Sequence, residues 1–299
     1  MIGGCYVTAK RNLVLNSFRD YNLNHMVPFS ENNSIISPDD TTLFCSSGMQ
    51  HFKRKFSNIY YKDTFSNCQK CLRLNDLEEI GDNTHYLVFS MLGLFSFQEW
   101  GVEKTINYLL NWLKTLDLKP DYVTIHPERK EWRNFYPGIE VKIDNNCVWS
   151  DGVIGGYCTE FYINDIEIGN IVNTLDRSID VGFGLERISN IKYKSEKPSK
   201  GEILKETILV MIDSGIKPGH YKEGHLLKKL LNQLLFTEVI LDHQYYHQVL
   251  NNKINQYLEY QRLMQFDNNR KKGKQWWYDS YGIDIDNLDQ YEQLLKKKK

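Results

Sequence analysis

The sequence predicts an α+β fold followed by a mostly α-helical region, on three observations. Between residues 41 and 188, short β-prone runs are separated by polar loops, the texture of an antiparallel sheet. One strongly amphipathic run, marked by Val102, Ile106, Leu109, Leu110, Leu113 and Leu116, supplies a helix to cover a face of that sheet. After a charged stretch at 194–200 carrying Pro198, leucines recur at helical spacing. The chain divides accordingly into residues 1–195 and 196–299.

Residues 1–35 mix apolar, Asn and Ser content without a strong period. A turn at 37–40 precedes a short buried strand at 42–45. In 51–56 bases alternate with aromatics, as on a solvated face or a surface that meets a polyanion. The segments ending at Arg73 and containing Phe89 flank a polar loop and read as an antiparallel pair. An Arg and an aromatic on adjacent strands can hold a phosphate and stack a base; a core Phe beside a surface Arg is the alternative. The helix from Val102 ends at Lys119-Pro120. A strand at 122–125, a charged linker at 127–131, Val148-Trp149, a Gly-rich loop at 152–156 and a strand pair at 158–172 follow.

The stretch 179–188 passes from an apolar residue and Asp180 through Gly182 and Gly184 into a helix-like run. It reads as a strand end, a hinge where backbone approaches a ligand, and a helix start. Arg187 falls in the first turn of that helix, where a cation is disfavoured unless an anion stands in front of it. A surface Arg beside Glu186 is the alternative. Further on, Leu226, Leu227, Leu230, Leu231, Leu234 and Leu235 share one helix face, with Lys228, Lys229, Asn232 and Gln233 opposite. A basic turn at 270–274 and a frayed lysine tail at 296–299 complete the chain.

Composition narrows the function classes. With 299 residues and a formal net charge of -1, nothing global steers the chain to nucleic acid or to a membrane. No apolar run approaches the roughly 20 residues needed to span a bilayer. The N-terminus lacks a secretory pattern, and six cysteines do not make a disulfide scaffold, so a cytoplasmic protein is expected. Cys68 and Cys71 have metal-ligand spacing, but no second pair follows, and no metal ligands are assigned.

The ordered set of stretches resembles the catalytic core and helical tRNA-recognition region of the alanyl-tRNA synthetases, a class II aminoacyl-tRNA synthetase family. Ser47-Gly48-Met49, Gln69-Lys70-Cys71-Leu72-Arg73, Met91-Leu92-Gly93, Cys158-Thr159-Glu160, Asn170-Ile171-Val172 and Gly184-Leu185-Glu186-Arg187 carry the resemblance, together with Tyr278-Asp279-Ser280-Tyr281-Gly282. It covers roughly residues 17–290 and implies a class II-like antiparallel sheet flanked by helices. It implies ATP-dependent activation of alanine or a similar small amino acid, with ATP and Mg2+ as cofactors. By that resemblance Arg73 would contact the α-phosphate, Arg187 the γ-phosphate, and Phe89 the adenine, with Met91 in the nucleotide site. Asp180 would hold the substrate ammonium, and Trp149, Asn170, Val172 and Gly182 would frame a small side-chain pocket. His220, Lys228, Lys229 and Asp279 would face a tRNA acceptor stem.

The departures bear on the acceptor. The insert after the motif-2 Arg is skipped at Arg73-Leu74-Asn75, and Ser90 replaces an acid of the family pattern. The Cys-rich loop shortens to Gly155-Gly156-Tyr157-Cys158, and tRNA-facing charge is thinned. Transfer to tRNA, transfer to a carrier protein or small molecule, and a non-catalytic binding role all remain open. A monomer is expected.

Overall fold

In the computed structural model the described residues are 3–38, 42–56, 58, 60–82, 84–150, 152, 154–174, 177–195, 198–266 and 288–297. They fall into two units, Met1–Lys197 and Pro198–Lys299. The first opens with helix α1 (Gly3–Asn24) and a short strand β1 (Phe29–Asn32). The sequence shows no strong period in 1–35, yet most of that stretch is helical. Val14, Phe18 and Asn22, spaced by four, form a narrow buried stripe too thin to stand out against the polar residues around it. The strand expected at 42–45 is reduced to an isolated bridge between Ile36 and Phe44. Residues 53–56 form a single turn, α2 (Lys53–Phe56).

Two ten-residue strands, β2 (Asp63–Leu72) and β3 (Val88–Phe97), pair antiparallel along their full length, as the sequence implied. Helix α3 (Val102–Thr115) follows, then β4 (Tyr122–Ile125), a 3-10 segment at Pro127–Phe135, β5 (Glu140–Ile143) and β6 (Val148–Ser150). The residues expected as a charged linker at 127–131 lie in that 3-10 segment, which buries Trp132. Strands β7 (Gly155–Ile163), β8 (Ile166–Thr174) and β9 (Ile179–Gly184) then run into helix α4 (Leu185–Tyr193). Gly155 and Gly156, expected in a loop, begin β7; a Cβ at Gly156 would lie 2.0 Å from the Asn173 carbonyl oxygen, so only glycine lets β7 and β8 close there.

The strands form one nine-stranded sheet in the order β1-β2-β3-β9-β8-β7-β4-β5, with β6 paired to β7. The sheet is mixed, because β1 joins β2 and β4 joins β5 in parallel. Parallel neighbours need a crossover, supplied between β4 and β5 by residues 126–139, and alternation along a strand carries no record of its direction.

Strand alternation gives the sheet two different faces. Leu92, Leu94, Val181, Phe183 and Phe161 face a helical layer in which Phe18, Ile106, Leu109, Trp112, Leu185 and Ile188 are buried. Met91, Gly93, Asp180, Gly182 and Asn170 fall on the other face. The helical layer leaves that face open as a platform, except where Met49, Phe52 and Phe56 pack over Phe95.

Among its described residues, the second unit contains α5 (Lys200–Asp213), α6 (Lys222–Leu234), α7 (Gln244–Phe266) and α8 (Leu288–Lys297). The leucine stripe expected on α6 is buried at Leu227, Leu230, Leu231 and Leu234. Lys297, expected in a frayed tail, instead donates to the Leu235 and Thr237 carbonyl oxygens, and burial pulls its pKa down. Ser199 caps α5 in a capping box: its hydroxyl accepts from the Glu202 amide while the Glu202 carboxylate accepts from the Ser199 amide. Ser199→Ala should cost about 1 kcal/mol, read by denaturant unfolding of the full chain. No helix among the described residues is long and apolar enough to cross a membrane.

Candidate active site on the open face of the sheet

A cavity opens on this face of the sheet and encloses about 630 Å³ when its solvent-filled mouth is counted. Arg73, Phe89, Met91, Asn170, Gly182 and Arg187, six of the residues singled out in the sequence, all contribute to its wall.

The antiparallel pairing of β2 and β3 places Cys71 opposite Phe89, so Arg73, just beyond the strand end, reaches the ring. Its guanidinium lies 5.0 Å from the Phe89 centroid, and its Nε donates to the Ser46 carbonyl oxygen at 2.8 Å. These two contacts fix the plane of the guanidinium, which a lysine could not reproduce.

Arg187 follows from the passage of β9 into α4. It occupies the third position of the helix and is held across the cavity, with Nε donating to the Thr84 carbonyl at 3.1 Å. Its Nη1 donates to the Glu167 carbonyl at 2.9 Å and to Glu167 Oε2 at 3.3 Å. The anion before this first-turn cation is thus a protein carboxylate. Burial raises the pKa of Glu167, with Arg187 acting in the opposite sense and Glu160 reinforcing the rise.

Register explains the floor. A row of paired residues crosses the sheet as Glu160, Asn170, Gly182, Gly93 and Asn67. Gly182 and Gly93 lie opposite one another at its centre; Gly182 lines the cavity, while the space over Gly93 is taken by Asn67 and Phe95. A Cβ on Gly93 would come within 2.4 Å of Asn67 Oδ1 and 2.7 Å of the Phe95 ring. Met91 closes one side, with its Sδ accepting from the Gly48 amide at 3.2 Å.

Asp180, Val172 and Trp149 do not contribute to this cavity wall. Asp180 pairs with Val172 on one side and Phe95 on the other, one row along β9 from Gly182, a step of roughly 7 Å. It is 8% exposed. Val172 packs with Cys147, Cys158 and Trp149 in a small apolar cluster. The residues expected at the nucleotide therefore share one cavity with Asn170 and Gly182, while Asp180 and Val172 occupy the adjoining row and Trp149, opposite Gly156, packs against Val172.

Several wall residues were given no site role from the sequence. Glu186 is buried; its Oε2 accepts from the Ser90 amide at 2.9 Å, and Oε1 lies 3.8 Å from Arg11 of α1. It anchors α4 to β3 and so positions its neighbour Arg187. His85 stands between two carboxylates, with Nε2 3.1 Å from Glu79 and Nδ1 2.5 Å from Asp82. Burial opposes ionisation of Asp82, but hydrogen bonds from Thr84 and His85 outweigh it and hold its pKa well below the usual carboxylate range. Each of these contacts joins residues that are polar in sequence and meet only through the loop between β2 and β3 or through α4.

Cys68 and Cys71 lie on opposite faces of β2, because a spacing of three reverses the side chain in a strand. Both thiols are buried, and burial pushes Cys68 up to about 12.

In the helical unit, His220, Lys228 and Lys229 line one groove with His225, Asn232, Gln233 and Phe236. Asp279 lies outside the described residues.

The matching family model is that of the class II tRNA synthetases (A), over residues 13–154, from α1 through β6. An alanine–tRNA ligase of Endomicrobium trichonymphae is 27% identical, covering 67% of this chain and 32% of that protein. That of Ehrlichia chaffeensis is 31% identical, covering 61% of this chain and 27% of its own length. A pyrrolysyl-tRNA synthetase from Desulfitobacterium hafniense is similar in structure with a TM-score of 0.41 and 11% identity, over 62% of this chain and 71% of that one. By the family match, residues 13–154 are similar to a class II tRNA synthetase domain. More particularly, the chain is a divergent relative of the alanine–tRNA ligases, and it spans about a third of the length of those it matches.

Proposed function

We propose that the protein is a cytoplasmic ligase that activates alanine or a similar small amino acid with ATP, forming an aminoacyl-adenylate and pyrophosphate, and passes the aminoacyl group to tRNA. The observation that carries this reading is the convergence of Arg73, Phe89 and Arg187 on one cavity floored by Asn170 and Gly182.

In this reading Phe89 offers its ring to the adenine. Arg73 binds the α-phosphate and stabilises the charge that develops as the substrate carboxylate attacks and pyrophosphate leaves. Arg187 binds the γ-phosphate end with the donor capacity its Glu167 contacts leave over. The glycine floor lets carboxylate and phosphate approach within reacting distance, and positioning supplies much of the rate without a protein nucleophile. Asp180 receives the ammonium one row further on, beside the narrow space bounded by Val172 and Trp149. The donor set also fits Mg2+, since Glu167 presents carboxylate oxygen to the cavity beside Arg187. Bound with the nucleotide, the ion would neutralise phosphate charge.

Residues 1–195 would act as the catalytic domain and 196–299 as the tRNA-recognition domain. The groove of His220, Lys228 and Lys229 gathers positive charge where a phosphate backbone would lie. Outside the groove wall, burial lowers the pKa of Lys253, and the charge of Lys228 lowers it further.

Exchange of labelled pyrophosphate into ATP across a panel of small amino acids tests the reading. One amino acid, alanine foremost, should support exchange, and labelled amino acid should then become acid-precipitable with tRNA. Exchange without tRNA labelling would move the acceptor to a carrier protein or small molecule. No exchange with any amino acid would leave a binding role only.

A further inference from the structure

The apolar cluster of Val172 and Trp149 includes two thiols, with a carboxylate next to them, to which the adenylation reading gives no role. Cys147 and Cys158 are buried, at 0% and 1% exposed, and Glu160 reaches the same spot from the next outward position on β7. Their ligand atoms all lie within 4.8 Å of one another. We propose that Cys147, Cys158 and Glu160 bind a zinc-type divalent cation through two thiolates and one carboxylate oxygen.

The arrangement suits such an ion in several respects. Tetrahedral zinc with S and O ligands at roughly 2.3 and 2.0–2.2 Å brings its donor atoms about 3.5–4 Å apart. Cys158 Sγ lies 3.8 Å from Glu160 Oε1. The other carboxylate oxygen, Oε2, accepts from Tyr162 at 2.8 Å and from Thr124 at 3.0 Å, so Oε1 is the oxygen turned to the sulfurs. Thr124 also accepts from Cys147 Sγ at 2.9 Å, so one hydroxyl orients two of the three ligands, as partners behind metal ligands do. Soft thiolates select zinc over magnesium, which separates this site from the carboxylate beside Arg187. Three protein ligands leave one coordination position for water or another ligand atom.

Without an ion, the hydrogen bond to Cys147 and burial push the Cys158 thiol far up. A dication among the three groups reverses that preference: each thiol releases its proton to solvent as its sulfur becomes a ligand, so affinity rises with pH. Cys147 precedes β6, and its carbonyl accepts from the Cys158 amide at 2.9 Å. The ion would therefore clamp the start of β6 onto β7, and with it Trp149.

The test is cobalt and zinc titration of the reduced, metal-stripped full chain. Co2+ should give a thiolate-to-cobalt charge-transfer band that saturates at one equivalent and is bleached by one equivalent of Zn2+. Cys147→Ser and Cys158→Ser should each lose it. Glu160→Gln, which keeps both thiols and nearly the same volume, should retain the band but bind at least tenfold more weakly, and it keeps the test decisive if a serine variant fails to fold. Absence of the band in the parent chain would overturn the proposal. So would a band of parental affinity in the serine variants, unchanged affinity in Glu160→Gln, or recovery of Cys147 and Cys158 as a disulfide from unreduced protein. None of these readouts requires adenylation, so the proposal can fail or stand independently of the ligase reading.

Discussion

Replacing Arg73 with Ala should lower the rate of amino-acid-dependent pyrophosphate exchange by about 10²–10³, the range for removing one preorganised donor to a developing charge. The fold should survive, because Arg73 lies at a cavity wall and Ser46, whose carbonyl it vacates, is only partly buried. Arg73→Lys should rescue little of the rate. Lysine keeps the charge but loses the planar fork that stacks on Phe89 at 5.0 Å while Nε holds Ser46. Thermal unfolding alongside the exchange assay separates the two effects. Exchange at the parental rate in Arg73→Ala would remove Arg73 from the phosphate site and with it the observation on which the ligase reading rests.

Asp180→Asn should raise the KM for the amino acid about 10- to 100-fold while leaving the KM for ATP nearly unchanged. A hydrogen bond to a charged group is worth about 1.5–3 kcal/mol, and 1.4 kcal/mol is tenfold in affinity. The split is expected from the register. Asp180 sits one row along β9 from Gly182, outside the wall that carries Arg73, Phe89 and Arg187. Asn preserves volume and a hydrogen-bonding oxygen at this buried position, so loss of packing does not confuse the reading. Equal rises in both KM values would place Asp180 in a structural role, and an unchanged amino acid KM would take it out of the ammonium site.

The site was legible in the sequence to the extent that it depends on strand pairing and helix starts. The pairing of β2 with β3 follows from two β-prone runs around a polar loop, and it alone brings Arg73 to Phe89. The step from β9 into α4 is written in Gly182, Gly184 and the apolar run behind them, and it delivers Arg187 to the cavity. Glu186 and Glu167 were not legible as wall residues. Their partners are 96 residues away for the Ser90 amide and 20 for Arg187, and no local period records such distances.

The sequence by itself determined which segments are strands or helices wherever a buried face repeats at a period of 2 or 3.6, as in β3, α3 and α6. It also determined the kinship, through the order of its stretches. Tertiary structure alone decided that the sheet is mixed, that α1 forms on a stripe of three residues, and that Cys147 meets Cys158 and Glu160. Strand direction, thin helical stripes and contacts between distant polar groups are set by which surfaces bury one another when the chain closes, and that is a property of the packed sheet rather than of any window of residues.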